Sequence, residues 1–177
     1  MMANEDKADI FIAFRTYDGG VYAAQSIFNS LRNKCYSVSF SEDNFPGGNW
    51  KETIARRIDS CNDFIVILSN RTFNKWTWWK KDILKEEIIQ AIEKKKRIIP
   101  IILPNTHMPP WLPKIIRQLL DNETLNYRTD SEEYEVFINK LTKRNFLTSK
   151  RYIMDEETNK KTRVDISKDI LSFERIR

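Results

Sequence analysis

Phe64-Ile65-Val66-Ile67-Leu68 is apolar without a break, and this run constrains the fold more than any other stretch of the chain. A strand with one wet face alternates polar and apolar residues, whereas an unbroken apolar strand must be covered on both faces. Asp9-Ile10-Phe11-Ile12-Ala13-Phe14 is nearly as continuous. The first run reads as a central strand and the second as a strand buried on both sides. Tyr36 to Phe40 alternates, which places it nearer an edge. Arg97 to Leu103 supplies a fourth strand, where Pro100 calls for an edge or a bulge, and Thr124 to Tyr127 a short fifth. Helical periodicity fills the intervals: Val21 to Asn33, a segment carrying Trp50, Ile54, Ile58 and Cys61, then Ile83 to Ile92, Lys114 to Leu120 and Glu132 to Lys143. Five βα units imply a doubly wound parallel sheet with right-handed crossovers. The expected fold is α/β and flavodoxin-like, with strand order 2-1-3-4-5 and helices on both faces.

At 177 residues the chain is long enough for one domain with a sizeable core and a short appendage. With 41% hydrophobic and 31% charged residues, most of it is expected to be ordered. Met1 to Lys7 is polar and acidic and does not read as a signal peptide, and no apolar run is long enough to cross a bilayer. The expectation is a cytoplasmic domain with no membrane partner. Cys35 and Cys61 lie in no metal or redox pattern and there is one histidine, His107, so inert thiols and no metal are expected. A net charge of +5 raises nucleic acid as a partner. Much of the surplus, however, sits in Lys94-Lys95-Lys96-Arg97 at a helix end, where cations complement the macrodipole, and around Lys140 to Arg151. No motif interleaves aromatics with this charge, so nucleic acid is not expected. Beyond residue 145 the chain reads either as two strands, Arg151 to Asp155 and Thr162 to Ser167, around a polar turn, or as a charged extension without structure.

The helix from Ile83 to Ile92 carries an acid in an unusual place. At about 100° per residue, with Leu84 at zero, Ala91 falls at about −20°, Ile88 at about +40°, Ile92 at about +80° and Ile83 at about −100°. Glu87 falls at about −60°, inside this apolar arc, and Glu86 at about 200°, on the polar side. A carboxyl among aliphatic groups costs stability unless something compensates. Two readings stand: a functional acid, or a rim acid satisfied by an Arg or Lys.

In open α/β sheets a ligand sits beyond the carboxyl ends of the strands, where strand order reverses. Here that crevice lies between the first and third strands. Two loops would line it, Arg15 to Gly20 and Ser69 to Trp79. Arg15 follows its strand directly, beside a helix N-terminus whose free N–H groups favour anions. The loop Ser41 to Trp50 adds Gly47 and Gly48 for close approach, and Phe45 and Trp50 as stacking faces. Together these suggest a nucleotide-like ligand with phosphates and rings. Neither a Walker loop nor a GxGxxG fingerprint is present.

These residues resemble a TIR domain, the Toll/interleukin-1 receptor module of animal, plant and bacterial defence proteins. Asp9 to Arg15 is similar to that family's D-x-F-I-S-Y-R box. Glu42-Asp43-Asn44-Phe45-Pro46-Gly47-Gly48-Asn49-Trp50 resembles its Pro-Gly loop, and Phe64 to Ser69 its third strand with the terminal serine. Glu87 to Pro100 is similar to the stretch from the family's helical glutamate to the proline of its fourth strand. The resemblance covers about residues 8 to 145, leaving 1–7 as an N-terminal and 146–177 as a C-terminal extension. Ser41 stands where many members carry an aspartate.

The resemblance implies cleavage of NAD between nicotinamide and ribose, with NAD as substrate and no cofactor, and the NAD-cleaving bacterial or archaeal kind of TIR domain. Counting back from Pro100 puts the family's catalytic glutamate on Glu87. Counting forward from Ser69 puts its W-x-x-x-E motif on Trp78 and Asp82. We take Glu87, because Asp82 falls at about 160° on the wheel. Ile83 then stands where the motif has tryptophan, with Trp76, Trp78 or Trp79 as substitutes for ring stacking. Substrate contacts are expected from Phe14, Arg15, Phe45, Gly48, Trp50, Ser69 and Ile83. Expected partners are further TIR domains in a homo-oligomer, and a downstream effector or sensor protein. The alternative is a non-catalytic TIR adaptor that acts by TIR–TIR association alone.

Overall fold

The computed structural model describes residues 8–16, 18–40, 50–73, 82–112, 114–121, 124–149, 151–155 and 160–164. Five parallel strands, β1 (Ile10–Ala13), β2 (Val38–Phe40), β3 (Asp63–Leu68), β4 (Arg97–Ile102) and β5 (Leu125–Asn126), form one sheet in the order β2-β1-β3-β4-β5. This is the flavodoxin-like order expected from the sequence, with β3 in the middle and the alternating β2 at an edge. The crossovers are α1 (Gly20–Asn33), α2 (Trp50–Ser60), α3 (Ile83–Glu93) and α4 (Lys114–Asp121), and α5 (Ser131–Leu141) follows β5. A separate antiparallel pair, β6 (Arg151–Asp155) and β7 (Lys160–Val164), lies in the C-terminal extension. β7 begins two residues before the expected second strand.

Two apolar layers explain why Ile10–Ala13 of β1 and Phe64–Leu68 of β3 carry no polar residue on either face. Ile10, Ile12, Phe14, Ile65 and Ile67 pack with Ala23, Ala24, Ile27 and Leu31 of α1 and with Phe137, Ile138 and Leu141 of α5. Phe11, Ala13, Phe64, Val66 and Leu68 pack on the other side with Ile54 and Ile58 of α2, Leu84, Ile88 and Ala91 of α3, and Ile116 and Leu119 of α4. Each large side chain buried in these layers contributes about 1.5–3 kcal/mol. The rings of Phe11 and Phe64, paired across β1 and β3, stack with centroids 5.7 Å apart.

Pro100 sits opposite Val66 in β4, an interior strand by order. On its other side β5 pairs only with Ile101 and Ile102, so at Pro100 the described sheet has a local edge and no ladder bond is lost there. Among the described residues no helix is long and apolar enough to cross a membrane.

Candidate active site

Strand order reverses between β1 and β3, and the loops after these two strands meet at their carboxyl ends. Alternation along β1 sends Phe11 and Ala13 toward α2 and α3, and Arg15 continues that side. Its guanidinium is held twice. Nε donates to the carbonyl of Thr72 at 2.9 Å, and Nη2 forms an ion pair with Oδ2 of Asp82. The Asp82 side chain has no exposed surface, whereas 13% of the Arg15 side chain is exposed. Asp82 is also the N-cap of α3, with Oδ1 accepting from the backbone N–H of Lys85 at 3.4 Å.

This overturns the expectation that Asp82 turns away from the buried side. The wheel angle assumed helical backbone, but Asp82 has φ −136° and ψ 109°, the extended conformation of a cap. Its side chain therefore points where helical periodicity does not predict.

A short turn prepares the Thr72 carbonyl. The Ser69 N–H donates to Thr72 Oγ1 at 2.7 Å, and the Thr72 N–H donates back to the Ser69 carbonyl at 3.0 Å. Ser69 and Thr72 are buried. Next to them, the Asp18 carboxylate accepts from the Arg71 N–H at 3.1 Å and pairs with Arg71 Nε at 3.5 Å, tying the β1 loop to the β3 loop. The Asn70 side chain reaches the β4 loop, accepting from the His107 N–H at 2.6 Å and donating to the Asn105 carbonyl at 2.8 Å. Behind Arg15, Gly20 opens α1. A Cβ there would lie 2.1 Å from the Arg15 carbonyl oxygen, so only glycine lets the loop close this tightly.

Glu87 lies farther along α3, five residues beyond Asp82 and so about 7–8 Å along the helix axis. It is 1% exposed, in the company of the buried Leu84, Ile88 and Ala91 of the same helix. Glu86, its neighbour, is partly exposed and pairs with Lys51 of α2 at 3.6 Å.

The TIR domain family profile matches residues 10–141. The chain belongs to the TIR domain family. Among solved structures it is similar to the TIR domain of the Toll-related receptor TRR-2 from Hydra magnipapillata, at 19% identity and a TM-score of 0.55 over 76% of this chain and 95% of that one. It is also similar to a metazoan TIR-STING receptor from C. gigas, at 17% identity and a TM-score of 0.52 over 81% of this chain and 43% of that one. At these identities the likeness concerns the fold. No curated protein matches.

Not every residue expected at the crevice of this TIR domain is on one side of the sheet. The Phe14 ring faces the α1 and α5 layer, tilted against Phe40 at 6.0 Å between centroids, because it alternates with Arg15. Ile83, the first residue of α3, is partly buried against the opposite layer. Trp50 begins α2. Phe45, Gly48, Trp76, Trp78 and Trp79 lie outside the described residues. Thr72 and Gly20 carry site geometry that the sequence reading did not single out. Gly19-Gly20 in the loop between a strand and a helix was a usable signal for the second.

Proposed function

We propose that this TIR domain cleaves NAD at the bond between nicotinamide and ribose, with Glu87 as the catalytic carboxylate. The observation that carries the reading is a buried Glu87 on the helix whose N-cap, Asp82, holds Arg15 at the strand-order reversal. In cleavage the bond from ribose C1′ to the pyridinium nitrogen breaks and its electron pair leaves with nicotinamide. Nicotinamide becomes neutral and positive charge passes to the ribosyl centre. A carboxylate in a site shielded from water stabilises that charge. Water then bonds to C1′ through its oxygen and releases a proton, giving ADP-ribose. An adenine nitrogen or a hydroxyl of the same molecule gives a cyclic ADP-ribose instead.

Arg15 and the N-terminus of α1 provide for the diphosphate, since Gly19 places no side chain over the first N–H groups of that helix. Homo-oligomerisation through TIR–TIR contacts, a cytoplasmic setting, and a sensor or effector partner in immune or antiphage-type signalling complete the proposal. The test is NAD consumption by the purified chain at high protein concentration, because members of the family act when assembled. Release of nicotinamide with ADP-ribose or a cyclic isomer is expected.

One observation favours a second reading, a non-catalytic adaptor. The motif position occupied by tryptophan in the family is Ile83 here, and this side chain packs, partly buried, against the core. An adaptor leaves NAD intact at every concentration while still self-associating.

A further inference from the structure

A guanidinium carries five N–H groups in one rigid plane. In Arg15 the Nε–H goes to the Thr72 carbonyl and an Nη2–H to Asp82, while among the described residues Nη1 meets no acceptor. The two occupied groups lie on one side of the plane's rim, which leaves the Nη1 side without an acceptor among the described residues. The pair is not built to open. Asp82 is fully buried, its second oxygen serves the Lys85 N–H, and breaking the pair would strand a desolvated charge.

We infer that Asp82 is a positioning residue for a diphosphate, holding one side of the Arg15 guanidinium so that the Nη1 side faces the crevice. Two further features belong to the same loop. The Arg15 side chain keeps 13% of its surface exposed despite both bonds. Gly20 brings the start of α1, with its uncapped N–H groups, against the Arg15 carbonyl. A guanidinium fixed in this way loses little conformational freedom on binding a phosphate oxygen, and that freedom is the main cost of recruiting an arginine. The inference rests on the reading of this crevice as the NAD site, but it concerns binding and does not require turnover.

The experiment is calorimetric titration of ADP, which carries the diphosphate without a nicotinamide, into the wild type, Arg15→Ala, Asp82→Ala and the double variant. Adenosine serves as the phosphate-free control. Each single substitution is expected to weaken ADP by about tenfold or more. The double variant is expected to bind ADP no more weakly than Arg15→Ala, because Asp82 acts only through Arg15. Adenosine affinity should not change. Asp82→Asn, which keeps the cap acceptor and the shape, guards against loss of fold and should still weaken ADP several-fold. ADP bound equally by the wild type and by both Asp82 variants would overturn the inference, as would a double variant weakened by the product of the two single effects. A wild type that binds ADP in this pattern yet leaves NAD intact contradicts catalysis and supports the role of Asp82. NAD turnover with ADP held no better than adenosine does the reverse.

Discussion

The Asp63 carboxylate accepts both the backbone N–H of Ser149, at 2.7 Å, and its hydroxyl, although the two residues are 86 positions apart. Thr148 adds its own N–H at 3.0 Å and its hydroxyl at 2.8 Å, and the Ser149 hydroxyl also donates to the Asp9 carbonyl at 3.1 Å. Nearby, Arg97 Nε donates to the Phe146 carbonyl at 2.7 Å. The segment after α5 thus fastens the starts of β1, β3 and β4, at the end of the sheet opposite the crevice. Asp63→Ala would strand several buried donors. It should cost about 3 kcal/mol or more in urea denaturation, and deletion of residues 146–177 should cost at least as much.

Cys61 and Cys35 should differ sharply as thiols. Cys35 is exposed. Cys61 is buried, and burial, partly offset by Lys96, pushes its thiol up to about 12 from 9.0. In native protein a thiol reagent at pH 8 should modify one cysteine within minutes and the second only on unfolding. Between pH 9 and pH 12 the unfolded thiol has lost its proton while the folded one keeps it. Stability should therefore fall as pH rises through this window, and Cys61→Ala should flatten the slope. Burial likewise pushes the Tyr134 hydroxyl up to about 12, which adds a loss of the same sign above pH 10.

Gly20→Ala tests the tight closure behind Arg15. The added Cβ, 2.1 Å from a backbone oxygen, forces the loop or the helix start to move. A loss of about 2–3 kcal/mol is expected by thermal or urea unfolding. Gly19→Ala meets no neighbour and bears only the left-handed φ of 79°, so about 1 kcal/mol is expected there.

The sheet was largely legible because strand burial writes itself into local sequence: β1 and the Phe64–Leu68 stretch of β3 are apolar on both faces, and β2 alternates at its edge. Burial of Glu87 was legible for the same reason, since periodicity describes residues inside a helix. Asp82 was misread because a cap lies outside the helix and obeys no wheel. A motif that names Phe14 and Arg15 together hides that adjacent strand residues point to opposite faces. The fastening of Thr148 and Ser149 to Asp63 is long-range polar bonding, which leaves no periodic trace in the sequence.

Two adjacent glutamates put the central claim to its most direct test. Glu87 is buried on α3, whereas Glu86 is partly exposed and pairs with Lys51. NAD turnover should be measured for the wild type, Glu87→Gln and Glu86→Gln at one high protein concentration, with folding matched by thermal unfolding. Loss of a carboxylate that stabilises a developing cation should lower turnover by about 100-fold or more in Glu87→Gln. Glu86→Gln should stay within about twofold of the wild type, since an exposed ion pair contributes little. Equal turnover by Glu87→Gln and the wild type would contradict the account.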